Sequence, residues 1–158
     1  MNAETLRGKW LLPVFGAVFC LALGIASGLS TAGGMGSWYQ ELRKPPGTPP
    51  GWLFGPAWSV LYLLMGVALG RLLQRRAWWA VLLFMVQFAL NLSWSPVFFG
   101  AHRVGAALLV IIVMWLVILG TILIAARQDR TSAWLLAPYL VWTSYATYLN
   151  AGIYLLNR

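Results

Sequence analysis

Gln87, Asn91, Trp94 and Ser95 stand at i, i+4, i+7 and i+8, a spacing that puts all four on one face of a helix. Phe54, Trp58, Tyr62, Gly66 and Gly70 repeat every four residues upstream. Trp142, Ala146 and Asn150 do the same near the C-terminus, with Thr143, Thr147 and Tyr154 alongside. Amides, indoles, phenols and hydroxyls exchange hydrogen bonds, and the rings add flat apolar area, but none is an acid or base near neutral pH. One histidine and one cysteine are too few for a zinc site or a cysteine–histidine nucleophile pair. His102, beside Arg103, reads as a surface residue, and Cys20 as a small packing residue. The pattern therefore suits binding of a mostly apolar molecule by aromatic and amide groups. A plainer reading stays open, in which Gln87, Asn91 and Asn150 only join helices.

The elements that carry these residues follow from where charge is absent. The 158 residues are 61% hydrophobic and 9% charged, whereas soluble domains carry roughly 25% charged residues. Uncharged stretches cover 10–40, 45–70, 77–102, 104–126 and 131–157, each longer than the ~20 residues a helix needs to cross a bilayer. A barrel strand alternates apolar and polar residues, but Leu108–Leu119 is continuously apolar. The expectation is an all-α membrane protein, a single five-transmembrane-helix bundle with spans near 10–30, 51–72, 78–100, 104–126 and 132–156 and a long first loop, 31–50. A cleavable signal peptide is set aside, since the apolar run Trp10–Leu29 exceeds the ~7–15 residues of a signal core. The span interiors hold no ionisable group of the kind that proton-coupled transporters use.

Five spans put the termini on opposite sides. Arg7, Lys9, Arg71, Arg75, Arg76, Arg127 and Arg130 fall on one side, against Arg43, Lys44, Arg103 and Arg158 on the other. The richer side, with the N-terminus, is expected to be cytoplasmic and the C-terminus outside. The net charge of +8 then belongs to lipid headgroups, with no nucleic-acid partner implied. Trp10, Trp38, Trp52, Trp78, Trp79 and Trp134 lie near span ends, whereas Trp58, Trp94, Trp115 and Trp142 lie inside spans. Gly16, Cys20, Gly24 and Gly28 form a small-residue stripe suited to close helix contact. The fourth span, with only Trp115 and Thr121 as polar features, is the best candidate for a mostly structural, lipid-facing helix. Trp58, Tyr62, Asn91, Trp94, Trp142 and Ala146 fall at one depth, below the long loop. That loop opens with Gly33-Gly34-Met35-Gly36, carries Trp38 and Tyr39, and closes with prolines that include Pro49 and Pro50, a composition expected of a lid.

Four segments resemble one family. These are Trp38-Tyr39-x-x-Leu42-x-Lys44-Pro45, Pro49-Pro50-x-Trp52-x-Phe54-x-x-Ala57-Trp58-x-x-Leu61-Tyr62, Asn91-x-x-Trp94-Ser95-Pro96-Val97-Phe98-Phe99-Gly100, and Pro138-Tyr139-Leu140-x-Trp142-x-x-Tyr145-Ala146-Thr147-x-Leu149-Asn150. Together they are similar to the translocator protein family, also called tryptophan-rich sensory proteins or peripheral-type benzodiazepine receptors, and to its bacterial members in particular. The resemblance implies a five-helix bundle, commonly a homodimer, that binds porphyrin, haem and benzodiazepine-type ligands, with sterol a further partner in some members and no required cofactor. Carried over by position, it implies a ligand pocket lined by Tyr39, Trp58, Tyr62, Asn91, Trp94, Trp142 and Ala146, with a lid that includes Trp38, Pro49 and Pro50. It also implies that the indoles of Trp58 and Trp142 donate to a ligand carbonyl or carboxylate. One departure is Gly47, where the family usually has an aromatic residue. Leu149, Tyr154 and Arg158 fit a loose cholesterol-contact pattern. The implied function is transport, buffering or sensing of porphyrin. The alternatives are light- and oxygen-dependent porphyrin breakdown, or a structural or regulatory subunit. Inner and outer membrane are not distinguished.

Overall fold

A computed structural model describes residues 3–31 and 36–158, with side chains in the first segment from Gly8 onward. The loop glycines Gly33 and Gly34, with Met35, and the Arg7 side chain lie outside the described residues. Among the described residues the α-helices are α1 (Ala3–Thr31), α2 (Ser37–Glu41), α3 (Phe54–Gln74), α4 (Trp78–Ser95), α5 (Val104–Gln128) and α6 (Arg130–Leu156), and there is no strand.

Prolines and charged turns set the boundaries. Pro50 is extended and leads into one 3₁₀ turn, Gly51–Leu53, which starts α3. At Pro96 α4 widens into a π-helical stretch, Pro96–Gly100, because proline has no N–H for the regular ladder. Ala101 N–H closes that stretch by donating to the Pro96 carbonyl at 2.8 Å. The α5–α6 turn is the single residue Asp129, whose carboxylate takes both an Nε and an Nη hydrogen bond from Arg71 at 2.9 Å.

The long helices form a ring in the order α1, α3, α6, α5, α4, and α1 meets α4 only slightly. The tightest seam is between α1 and α3. Gly16 abuts the Gly66 backbone and Gly70 abuts Leu12 and Pro13, leaving no room for a side chain. Of the expected small-residue stripe, Gly16 therefore is close helix contact, whereas Gly28 is not. Phe84, Phe88, Met65, Ile118 and Tyr139 fill the centre of the ring, while Val18, Leu109, Leu116 and Val141 face outward and exposed. An apolar exterior on this scale suits lipid.

Four segments are long and apolar enough to cross a membrane: Gly8–Thr31, Gly51–Gln74, Trp78–Gly100 and Val104–Gln128. The fifth expected span falls short on composition. With 27 residues α6 is about 40 Å long, but its serines, threonines, tyrosines and asparagine lower its hydropathy. Several of these, Ser132, Thr143 and Asn150 among them, are buried in the ring.

Candidate functional site

A cavity of about 350 Å³ occupies one half of the ring, within the ~300–1,000 Å³ range of small-molecule sites. The second half of α1, the first half of α3, the end of α4 with its π-helical stretch, and the second half of α6 wall it, and α2 covers it through Tyr39. Tyr39, Trp58, Tyr62, Asn91, Trp94, Trp142 and Ala146 all line this space. Trp38, Pro49 and Pro50 do not. Among the described residues one side of the wall is open: added Cβ atoms at Gly28, Gly51 and Gly55 would meet nothing there, and Leu29 lines the cavity while 73% exposed.

Polar groups in the wall fall into two sets. In the larger set each group already has a protein partner. Tyr62 donates to Asn91 Oδ1 at 2.8 Å, and Asn91 Nδ2 donates to the Tyr139 hydroxyl at 3.0 Å. Trp94 Nε1 donates to Asn150 Oδ1 at 3.0 Å, and Asn150 Nδ2 to the Val104 carbonyl at 3.0 Å. Thr31 and Ser95 share a 2.8 Å hydrogen bond across the sparse α1–α4 seam, and Ser27 donates to the Leu92 carbonyl there. The second set, without a hydrogen-bond partner among the described residues, holds the Tyr39 hydroxyl and two indoles. Trp142 Nε1 is buried with no partner. Trp58 meets Trp142 edge-on at 6.4 Å and stacks on Tyr62 at 5.5 Å. No charged side chain lines the cavity among the described residues.

Gly24 has a role beyond helix contact, since the Tyr62 ring lies directly on it. Gln87 shares the α4 face with Asn91 but is buried outside the cavity, both amide atoms unpartnered. The fourth span, expected to be mostly structural, also contributes Ile111 and Met114 of α5 to the wall. Apolar residues that pack and apolar residues that line a space have the same periodicity, so the sequence carries no signal to separate them. Phe98 and Phe99 are similar cases, turned inward by the π-helical stretch. Trp115 bonds α5 to α6, donating to Ser144 Oγ at 2.7 Å. From the sterol-type pattern, Leu149 lines the cavity, whereas Tyr154 lies outside it beneath the Arg158 guanidinium.

The loop expected to act as a lid is fastened at several points. Tyr145 and Tyr148 donate to the carbonyls of Gly47 and Pro46, and Asn157 exchanges two hydrogen bonds with the Arg43 backbone. Gly47 takes φ +81°, which suits glycine and not the aromatic residue usual in the resembled family. Trp38 stacks on His102 at 4.1 Å and meets Phe98 edge-on. Burial raises the Tyr39 phenol above its ordinary value, and the Lys44 ammonium sits 4.6 Å above its ring.

A sequence model of the TspO/MBR family matches residues 16–156. The chain is 41% identical to "Tryptophan-rich protein TspO" of Chlorobaculum tepidum, covering 87% of this chain and 90% of that protein. It is 36% identical to "Protein CrtK" of Rhodobacter capsulatus, over 89% and 91% of the two chains. With the human "Translocator protein" it shares 34% identity over 88% and 86%.

Proposed function

The chain belongs to the TspO/MBR family, and from that premise we propose that this integral membrane protein binds tetrapyrroles, porphyrin or haem, in its aromatic cavity, and transports, buffers or senses them. In this reading α6 is a fifth span whose polar face is satisfied inside the ring, and the N-terminus is cytoplasmic. The observation that carries it is the buried, unpartnered N–H of Trp142 beside Trp58 in a flat-walled apolar space. A buried donor without a partner costs about 1–3 kcal/mol, and a ligand acceptor in the cavity offsets it. Ring faces of Trp58, Trp94 and Phe98 suit a planar macrocycle. Benzodiazepine-type ligands, which are aromatic and carry a carbonyl, fit the same description. Homodimer formation and sterol binding remain part of this proposal as family properties.

Porphyrin titration of the purified protein, read by tryptophan quenching, tests the reading. Saturable binding is expected, and affinity is expected to fall by at least about tenfold in the Trp58→Phe, Trp142→Phe double variant, as lost hydrogen bonds to a desolvated acceptor imply. Unchanged affinity in that variant would overturn the site. Illumination of the complex under air then separates binding from breakdown: a new absorbing product, lost in the same variant, favours the photochemical alternative.

A further inference from the structure

Resting on the tetrapyrrole reading, we infer that the cavity holds its ligand through an uncharged oxygen acceptor, an ester or carbonyl, and discriminates against an ionised carboxylate at that place. The wall supplies donors but no counter-charge. Hydroxyls of Ser27, Thr31, Ser59 and Ser95 are engaged with protein oxygens, and so are the Trp94 indole and both amides. What stays available is the Trp142 N–H, the Trp58 indole beside it and the Tyr39 hydroxyl under the loop, none of which donates to a group among the described residues. A neutral acceptor oxygen loses little water and gains one or two hydrogen bonds there. An ionised carboxylate would exchange full hydration for neutral donors alone, a trade that strongly disfavours the charged form.

The titratable groups that face the space are the phenols of Tyr39 from α2 and Tyr62 from α3, both neutral between about pH 5 and 8. Residues from α1, α4, α5 and α6 add none. Lys44 lies on the loop side, above the Tyr39 ring and bonded to the Gln40 carbonyl, and His102 lies against Trp38; neither lines the cavity. A carboxylated ligand that enters this place therefore binds with its acid protonated. Binding of the acid then takes up protons, and its affinity rises as pH falls.

The test compares a dicarboxylic porphyrin with its dimethyl ester, titrated against the full chain in phosphatidylcholine nanodiscs and corrected for partition into empty ones. At about pH 8 the ester is expected to bind at least about tenfold more tightly, corresponding to one unit of pKa shift on burial. Toward about pH 5 the diacid is expected to close that gap while the ester stays constant, which cancels titration of the protein itself. Ser59, half-buried in the wall and bonded only to the Gly55 carbonyl one turn back, is the place to add a cation. Ser59→Lys is expected to tighten the diacid relative to the ester at about pH 8, so that the ratio of the two affinities shrinks. A diacid as tight as the ester at that pH overturns the inference and leaves the tetrapyrrole reading standing. So does an ester preference that neither pH nor Ser59→Lys moves. Absence of saturable binding by either compound removes both.

Discussion

Trp94 and Trp142 are the same residue type on the wall of one cavity, and the structure gives them opposite duties. Trp94 is committed to Asn150, so its N–H is part of the link between α4 and α6. Trp142 keeps a buried donor without a partner. Replacing each by phenylalanine should separate the two roles. Trp94→Phe leaves Asn150 Oδ1 unpaired and is expected to lower stability by about 1–2 kcal/mol, read as thermal unfolding in detergent. Trp142→Phe removes an unsatisfied donor, which offsets lost ring contacts, and stability is expected to stay within about 1 kcal/mol of the unsubstituted chain. Porphyrin affinity should follow the reverse order. If Trp142→Phe proves the less stable of the two and binds normally, its indole is a packing residue. The sequence offered no way to assign these duties, because the i, i+4 and i+7 spacing that marks an inward face says nothing of which partners meet there.

Helix ends show how single charged residues hold long apolar elements. Arg71, near the end of α3, reaches the one-residue α5–α6 turn at Asp129, and Ser132 donates to the same carboxylate at 2.6 Å. The Arg71 hydrogen bonds hold the Asp129 carboxyl below its ordinary value of 3.8, with Ser132 assisting and burial opposing. A depressed pKa stabilises the fold above the ordinary value, and that contribution is lost as pH falls through the folded one. Asp129→Asn is expected to cost about 1–3 kcal/mol near neutral pH, below the range for fully buried pairs because Arg71 is 28% exposed. Unfolding temperature measured against pH should show the difference between variant and unsubstituted chain shrinking below about pH 4. A difference that persists undiminished at about pH 3 would show that the turn owes nothing to the ion pair. The helices themselves were legible from the charge-free stretches. The π-helical stretch was not, although Pro96 marks where it begins, since a proline reports a lost hydrogen bond and not the geometry that replaces it.

For the whole molecule, the ring is closed by unequal seams. Glycine-to-backbone contact locks α1 on α3, while α1 touches α4 sparsely, through Phe19 against Phe88 and the Thr31–Ser95 and Ser27–Leu92 hydrogen bonds. The cavity lies beside this weaker seam and opens past Gly28 and Gly55. Whether α6 crosses the bilayer sets which sides the termini occupy. With α6 as a fifth span, reporter fusions should place the N-terminus in the cytoplasm and the C-terminus outside, as the bias of basic residues implies. Both termini reporting from the same side would limit the spans to the four that composition marks out.

By itself the sequence located the long helices and the faces that carry their polar groups, though not the short α2 within the expected loop 31–50, because uncharged runs of about 20 residues and the helical repeat are both written in one dimension. It also restricted the cavity's chemistry to aromatic, amide and hydroxyl groups by withholding charge from the spans. The tertiary structure alone decided which polar groups are engaged and which are free. Hydrogen-bond partners such as Asn91 with Tyr139, or Trp94 with Asn150, lie 48 and 56 residues apart, and only the order of helices around the ring brings them within 3 Å. It likewise assigned Ile111, Met114, Phe98 and Phe99 to the wall, since an apolar residue is a lining residue only when neighbouring helices leave space in front of it.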